Sequence, residues 1–267
     1  MMISLSLKHE SVTHTRRELK LIDDAEITQI AQEFLHVDDE EYLDSIPILE
    51  ADGSDKAQQH SVFHIDPYGS AAEQFRLMQR RLSNLRPAGG SVLLTSPGIG
   101  DGKTTNANNL AWALAEAGHS TLLLELDFRR PGLHRYIPEI PPHDLNDVLL
   151  GEISCASAVR RLHELPLFYL GVDKPAPRPI RLLRSKKLTE LIRWANQTFS
   201  WVIIDGPPVL AVSDVEEILP RVDLALMVVR ERGTPRAMLE RAAERLGERL
   251  NFVIYNDALL SDSYGQK

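Results

Sequence analysis

Beyond residue 69 the chain alternates between short, continuous apolar runs and stretches of helical periodicity. The runs fall at Val92 to Leu94, Thr121 to Leu126, Leu167 to Gly171, Trp201 to Ile204, Leu224 to Val229 and Phe252 to Tyr255. Runs of this length without polar alternation belong to strands covered on both faces, as in a parallel sheet. Helical stretches separate most of them, at Thr104 to Ala117, Ser185 to Gln197, Ser213 to Leu219 and Pro235 to Leu250. A leading helix is expected from Gly69 or Ser70 to Leu85, with Ala72, Phe75, Leu77 or Met78, and Leu82 inward and Pro87, Gly89 and Gly90 stopping it. The pattern predicts an α/β fold whose mainly parallel sheet carries helices on both faces.

The first 60 residues read differently. Residues 1–15 are polar, and residues 36–60 are acidic with Gly, Ser and Pro, the composition of loosely ordered chain. Between them Ile27, Ile30, Ala31, Phe34 and Leu35 recur at helical spacing behind Asp23 and Asp24, which suit the positive end of a short helix. Three segments are therefore expected: an acidic, partly disordered extension with a short helix over 1–60, the α/β domain over 61–256, and a flexible tail over 257–267.

Charge sharpens that division. Residues 1–60 carry 14 acidic against 5 basic side chains and the remainder 24 against 25, so the net charge of −8 resides in the extension. A nearly neutral body offers no electrostatic footprint for nucleic acid, and none is expected as a partner. The single cysteine, Cys155, excludes an intramolecular disulfide and a Cys-rich zinc site, which fits a reducing, cytoplasmic compartment. No apolar run approaches the roughly 18 to 20 residues that span a bilayer. Direct membrane insertion is not expected, and any membrane role is expected to run through a partner.

Candidate chemistry begins at Ser96-Pro97-Gly98-Ile99-Gly100-Asp101-Gly102-Lys103-Thr104-Thr105, between an apolar run and a helix. Gly98, Gly100 and Gly102 free the backbone to aim N–H groups at an anion, and the helix behind adds its positive end. This is the P-loop pattern, with Gly98, Gly100, Asp101, Gly102, Lys103, Thr104 and Thr105 as expected nucleotide contacts. Lys103 is expected on the β and γ phosphates and the Thr104 hydroxyl on Mg2+. Pro97 stands where the pattern has its first glycine, and the competing reading is a flexible strand-to-helix turn. Ligands of such sheets bind beyond the C-terminal strand ends. Two acidic stretches arrive there, LLLELDFRRP with Glu125 and Asp127, and VIIDGPP with Asp205. Each acid suits either a metal role or a strand-end cap or salt bridge; ATP and Mg2+ are the expected cofactors.

Taken in order, Glu73-x-x-Arg76, SPGIGDGKTT, NNLAWALAEAG, LLLELDFRRP, VIIDGPPVLAVSD and FVIYN resemble the bacterial tyrosine kinases of capsule and exopolysaccharide systems. That family has a P-loop fold related to septum-positioning and chromosome-partitioning ATPases, and the resemblance spans roughly residues 66–256. It implies phosphate and Mg2+ contacts at Lys103 and Thr104, metal-sphere ligands at Asp127 and Asp205, the motif's arginine at Arg129 and a base-recognising amide at Asn256. It places Glu125 where the family has an aspartate that activates the tyrosine hydroxyl. It also implies a homo-oligomer interface carrying Glu73 and Arg76, with the adjacent Arg80 or Arg81 standing in for the second arginine of that element because position 79 is Gln79. The competing reading of that helix is an amphipathic element with solvated charges.

The family's tyrosine-rich tail is reduced here to Tyr264, the candidate phosphoacceptor. The resemblance implies an autokinase acting with a transmembrane polysaccharide co-polymerase, a chain-length determinant, and peripheral to the inner face of the plasma membrane through it. The alternatives are a weak or inactive nucleotide-switched regulator of the same machinery and a partitioning-type ATPase.

Overall fold

The computed structural model describes residues 2–4, 39–49, 61–137, 141–162 and 164–258. The helix expected around residues 27–35 and the candidate acceptor Tyr264 lie outside them. The chain divides into two compact units. The smaller contributes one described helix, α1 (Asp39–Ser45), within the stretch expected to be loosely ordered. The larger runs β1 (Met2–Ser4), α2 (Val62–Ile65), α3 (Ser70–Leu85), β2 (Gly90–Thr95), α4 (Lys103–Glu116), β3 (Thr121–Glu125), a 3-10 turn (Leu133–Tyr136), α5 (Leu145–Leu150) and α6 (Cys155–Ala158). It continues with β4 (Arg160–Arg161), β5 (Leu167–Leu170), α7 (Pro179–Leu183), α8 (Lys186–Thr198), β6 (Trp201–Asp205), α9 (Asp214–Ile218), β7 (Leu224–Arg230), α10 (Arg236–Leu246) and β8 (Leu250–Asn256).

The strands form one sheet in the order β1-β8-β7-β2-β6-β3-β5-β4. Pairing is parallel from β8 through β5, and β1 and β4 close the two edges antiparallel. Every residue of β3 and β6 is buried, which is why both read as unbroken apolar runs. The α/β architecture expected from the alternation is the one observed.

Two boundaries differ for local reasons. The helix expected to reach Leu250 stops at Leu246, because Gly247 turns the backbone to φ 53 and a short 3-10 segment leads into β8 at Leu250. β1, β4 and the helices between Leu145 and Ala158 are two to six residues long, too short for periodicity to register.

The helix behind the phosphate loop, α4, lies against the centre of the sheet. Its Ala107, Leu110, Ala111 and Leu114 are fully buried among Val92, Leu94, Leu123 and Ile203. Helix α3 covers α4, with Met78 and Leu82 joining the same core and Ala72 meeting Ala113. Burying a leucine side chain stabilises by roughly 1.5–3 kcal/mol, so this face fixes where the N-terminus of α4 points. Leu110→Ala is expected to lower unfolding free energy by about 2–5 kcal/mol, transfer and cavity terms together, as read from urea denaturation.

Candidate nucleotide site at the C-terminal edge of the sheet

Register builds the site before any side chain is considered. Asp205, the last residue of β6, lies opposite Leu94 of β2 on one side and Glu125 of β3 on the other. The chain after β2 therefore leaves the sheet beside two carboxylates. The loops are tied together as well: Gly206 N–H donates to Leu94 O at 2.9 Å, Val209 N–H to Ser96 O at 2.8 Å, and the Thr95 hydroxyl to Pro207 O at 2.7 Å.

The loop itself turns at glycines. Gly100 and Gly102 adopt φ 88 and 97, a region that side chains strain to enter. Gly102 has a second reason, since a Cβ there would lie 2.2 Å from Asn256 Nδ2. Asp101 accepts from Gly98 N–H at 2.9 Å and from the Thr234 hydroxyl at 2.7 Å, so its carboxylate braces the loop from within. Asn256 donates to Asp101 O at 3.0 Å and accepts from Asn106 at 3.1 Å, which commits its amide to the same brace. Thr105 shares a 2.8 Å hydroxyl bond with Tyr136.

Four of the expected residues converge. Lys103 is 8% exposed and has no ion pair among the described residues, although its ammonium is close enough to hold the Asp127 and Asp205 carboxyls down against burial. Asp205 is 1% exposed; burial first, and then Asp127, push its carboxyl up to about 6 against the Lys103 charge and the nearby Thr104 hydroxyl. One of its oxygens, Oδ1, is buried without a hydrogen-bond partner. Asp127 is raised by burial too, opposed by Lys103 and by backbone N–H groups of Arg130 and Arg129. A buried lysine and an orphaned carboxylate oxygen beside a threonine hydroxyl are both expensive without a partner. They fit a magnesium-bound phosphate, which presents an anion to the one and a cation to the other. Among the described residues no three His, Cys, Asp or Glu side chains are grouped to hold a metal alone. That suits Mg2+, which takes few protein ligands and completes its shell with phosphates and water.

Glu125 is placed differently. It is fully buried, and its carboxylate accepts from Asp127 N–H at 3.1 Å, Gly132 N–H at 2.7 Å and Leu133 N–H at 3.0 Å. Burial and the nearby Asp205 nonetheless raise its pKa well above the ordinary range. Its oxygens face the loop after β3, not an opening. Arg129 grips Asp214 through two bonds of 2.7 and 3.1 Å and so ties the loop after β3 to the N-terminus of α9. The charge pattern gave no sign of Asp214, Thr234 or Tyr136 as partners of the site, since it marks which residues carry charge and not where they point. At the far end of α4, Arg76 bonds Glu116 and Glu73 of its own chain at 2.7 and 2.6 Å. Those residues, with Leu77 and Arg80, line a surface cleft of about 240 Å3.

No family model matches the chain. Among curated proteins, the tyrosine-protein kinase YwqD of Bacillus subtilis is 31% identical over 193 residues, which cover 72% of this chain and 81% of YwqD. The chain belongs to the bacterial tyrosine-protein kinases. A putative tyrosine-protein kinase from the cps region of Klebsiella pneumoniae is 31% identical over 136 residues, 51% of this chain but only 19% of that protein. Family members thus include chains several times longer than the matched region. In solved structures the tyrosine kinase domain of BceF superposes with a TM-score of 0.65 at 26% identity, covering 79% of this chain and 91% of that domain. The shared fold is that of a bacterial tyrosine kinase domain, in which the loop that begins at Ser96 joins β2 to α4.

The acid beneath that loop carries a stability consequence. Asp205 is raised in the folded protein, so its contribution is intact below about pH 4 and is lost as pH rises through about 6. In chelator and without nucleotide, Asp205→Asn is therefore expected to be more stable than wild type at pH 7 by about 2–3 kcal/mol, and the gap is expected to close toward pH 4. Parallel urea titrations at the two pH values check this.

Proposed function

We propose that this chain is an ATP-dependent protein-tyrosine autokinase whose phosphoacceptor is Tyr264 on a neighbouring copy. The observation that carries the reading is the convergence of Lys103, without an ion pair among the described residues, the Thr104 hydroxyl, Asp127 and the orphaned Asp205 oxygen at one edge of the sheet. Membership of the kinase family supports the reaction class. Thr104, Asp127 and Asp205 would hold Mg2+ directly or through water, and the ion supplies charge neutralisation on the phosphates. Loop amides and the start of α4 bind the phosphates, and Lys103 draws in the terminal one. Asp127 and Asp205, raised by burial, orient the metal side of the site, while the Arg129–Asp214 pair keeps the two acid-bearing loops together.

Self-assembly through the α3 face with Glu73, Arg76 and Arg80 would bring a neighbour's tail to this edge. Relatives named from a cps region support a role in polysaccharide export, with a transmembrane co-polymerase as partner holding the chain at the inner membrane face. No described helix is long and apolar enough to cross a membrane.

A second reading, a nucleotide-switched regulator without transfer, is favoured by Glu125, whose carboxylate is committed to three backbone N–H groups. Incubation with Mg-ATP followed by peptide mass spectrometry separates the two. Phosphotyrosine at Tyr264 in wild type, absent from Tyr264→Phe and at least 100-fold reduced in Lys103→Ala, is the expected outcome. Bound ATP with no phosphotyrosine would refute the autokinase and leave the switch, to be seen as an ATP-dependent change in sedimentation.

A further inference from the structure

One cation beside the site, Arg135, takes no part in holding the loop or its acids together. Arg135 lies in the 3-10 turn Leu133–Tyr136, and that turn is fixed at both ends. At its start Glu125 accepts the N–H groups of Gly132 and Leu133 at 2.7 and 3.0 Å. At its end the Tyr136 hydroxyl meets the Thr105 hydroxyl at 2.8 Å. Its underside rests on α4, since a Cβ on Gly132 would lie 3.0 Å from Thr104 Oγ1 and 3.1 Å from Thr104 Cγ2. The turn is therefore a rigid bracket against the hydroxyl assigned to the metal.

On this bracket Arg135 is exposed and has no ion pair among the described residues, whereas Arg129 nearby is committed to Asp214. Its position over the site is also felt electrostatically: the Arg135 charge helps to hold down the carboxyl of Asp205, at the floor, and the hydroxyl of Tyr136 beside it. An exposed guanidinium carried on a fixed turn beside Thr104, within the field of a buried acid yet without an ion pair among the described residues, is arranged for an anion arriving from outside. The fork of an arginine matches two oxygens of one phosphate. In the nucleotide-site reading the loop amides and Lys103 would hold the phosphates nearer the helix start, and the bracket stands on the Thr104 side, where that reading puts the metal and the end of the phosphate chain.

We propose that Arg135 contacts the terminal phosphate of the bound nucleotide and so distinguishes a triphosphate from a diphosphate. This rests on the nucleotide-site reading. Calorimetric titration with Mg2+ and either a non-hydrolysable ATP analogue or ADP tests it on wild type, Arg135→Ala, Arg135→Lys and Arg130→Ala. Loss of one charge-assisted contact is expected to weaken triphosphate binding by Arg135→Ala about tenfold while ADP binding stays within about twofold. Arg135→Lys is expected to fall between, and Arg130→Ala to match wild type. Retained ADP binding also certifies that the variants are folded. Unchanged triphosphate affinity, or an equal loss for both nucleotides, overturns the assignment of Arg135. Wild type that binds neither nucleotide overturns the nucleotide site together with it.

Discussion

Parallel pairing of β2, β6 and β3 sets Leu94, Asp205 and Glu125 side by side at one edge, and the placement of every charged group in the site depends on that register. Side chains alternate along a strand, so a slip of one residue would turn Asp205 and Glu125 to the other face and bring apolar neighbours into their place. What prevents the slip is the burial of both faces. β3 and β6 have no solvent side on which a mispaired register could rest its polar ends. The hydrophobic core and the chemistry are for this reason a single constraint: α4 on one face of the sheet holds the strands whose ends hold the acids.

Two buried acids on neighbouring strands repel each other, and the structure gives them different partners. Glu125 takes three backbone N–H groups and becomes the anchor of the loop and 3-10 turn that follow β3. Asp205 lies beside the Thr104 hydroxyl in the field of Lys103 and keeps its Oδ1 unpartnered. The extra methylene of glutamate gives the carboxylate of Glu125 the reach to gather N–H groups as far along the chain as Gly132 and Leu133. An acid that orders backbone and an acid with an unpartnered oxygen are thus separated by side-chain length and by direction, on residues facing each other in register.

Much of this was legible in the sequence. Continuous apolar runs marked the six parallel strands, because double-sided burial leaves no polar alternation to confuse with loops. The spacing of glycines, Lys103 and Thr104 marked the loop, and strand-end acids marked Asp127 and Asp205. Direction was not legible. Asp101 and Asn256 were expected to meet nucleotide, and each spends its hydrogen bonds on the loop: Asp101 on Gly98 and Thr234, Asn256 on Asp101 and Asn106. Arg129 carries the motif's charge but its partner, Asp214, is 85 positions away in sequence and adjacent only after α9 folds against the sheet edge. Long-range pairing of that kind leaves no local periodicity. Arg135 was passed over for the opposite reason, since an exposed arginine in a loop is ordinary until the turn beneath it proves rigid.

The commitment of Glu125 to backbone does not by itself remove phosphoryl transfer. In a loose, dissociative transition state the attacking hydroxyl has formed little bond to phosphorus, and most of the acceleration comes from alignment and from positive charge around the equatorial oxygens. A missing base at position 125 therefore matters less than a displaced Lys103 or a disordered loop after β3. By holding Gly132 and Leu133, Glu125 keeps that loop against Thr104, and in the proposed reaction this would keep the cations near the phosphates in place. Positioning of this kind is worth as much to the chemistry as proton abstraction would be, since misplacement by about 1 Å can cost on the order of 100-fold in rate. In the autokinase reading the glutamate would therefore contribute by positioning the loop in place of proton abstraction, with an effect of similar size.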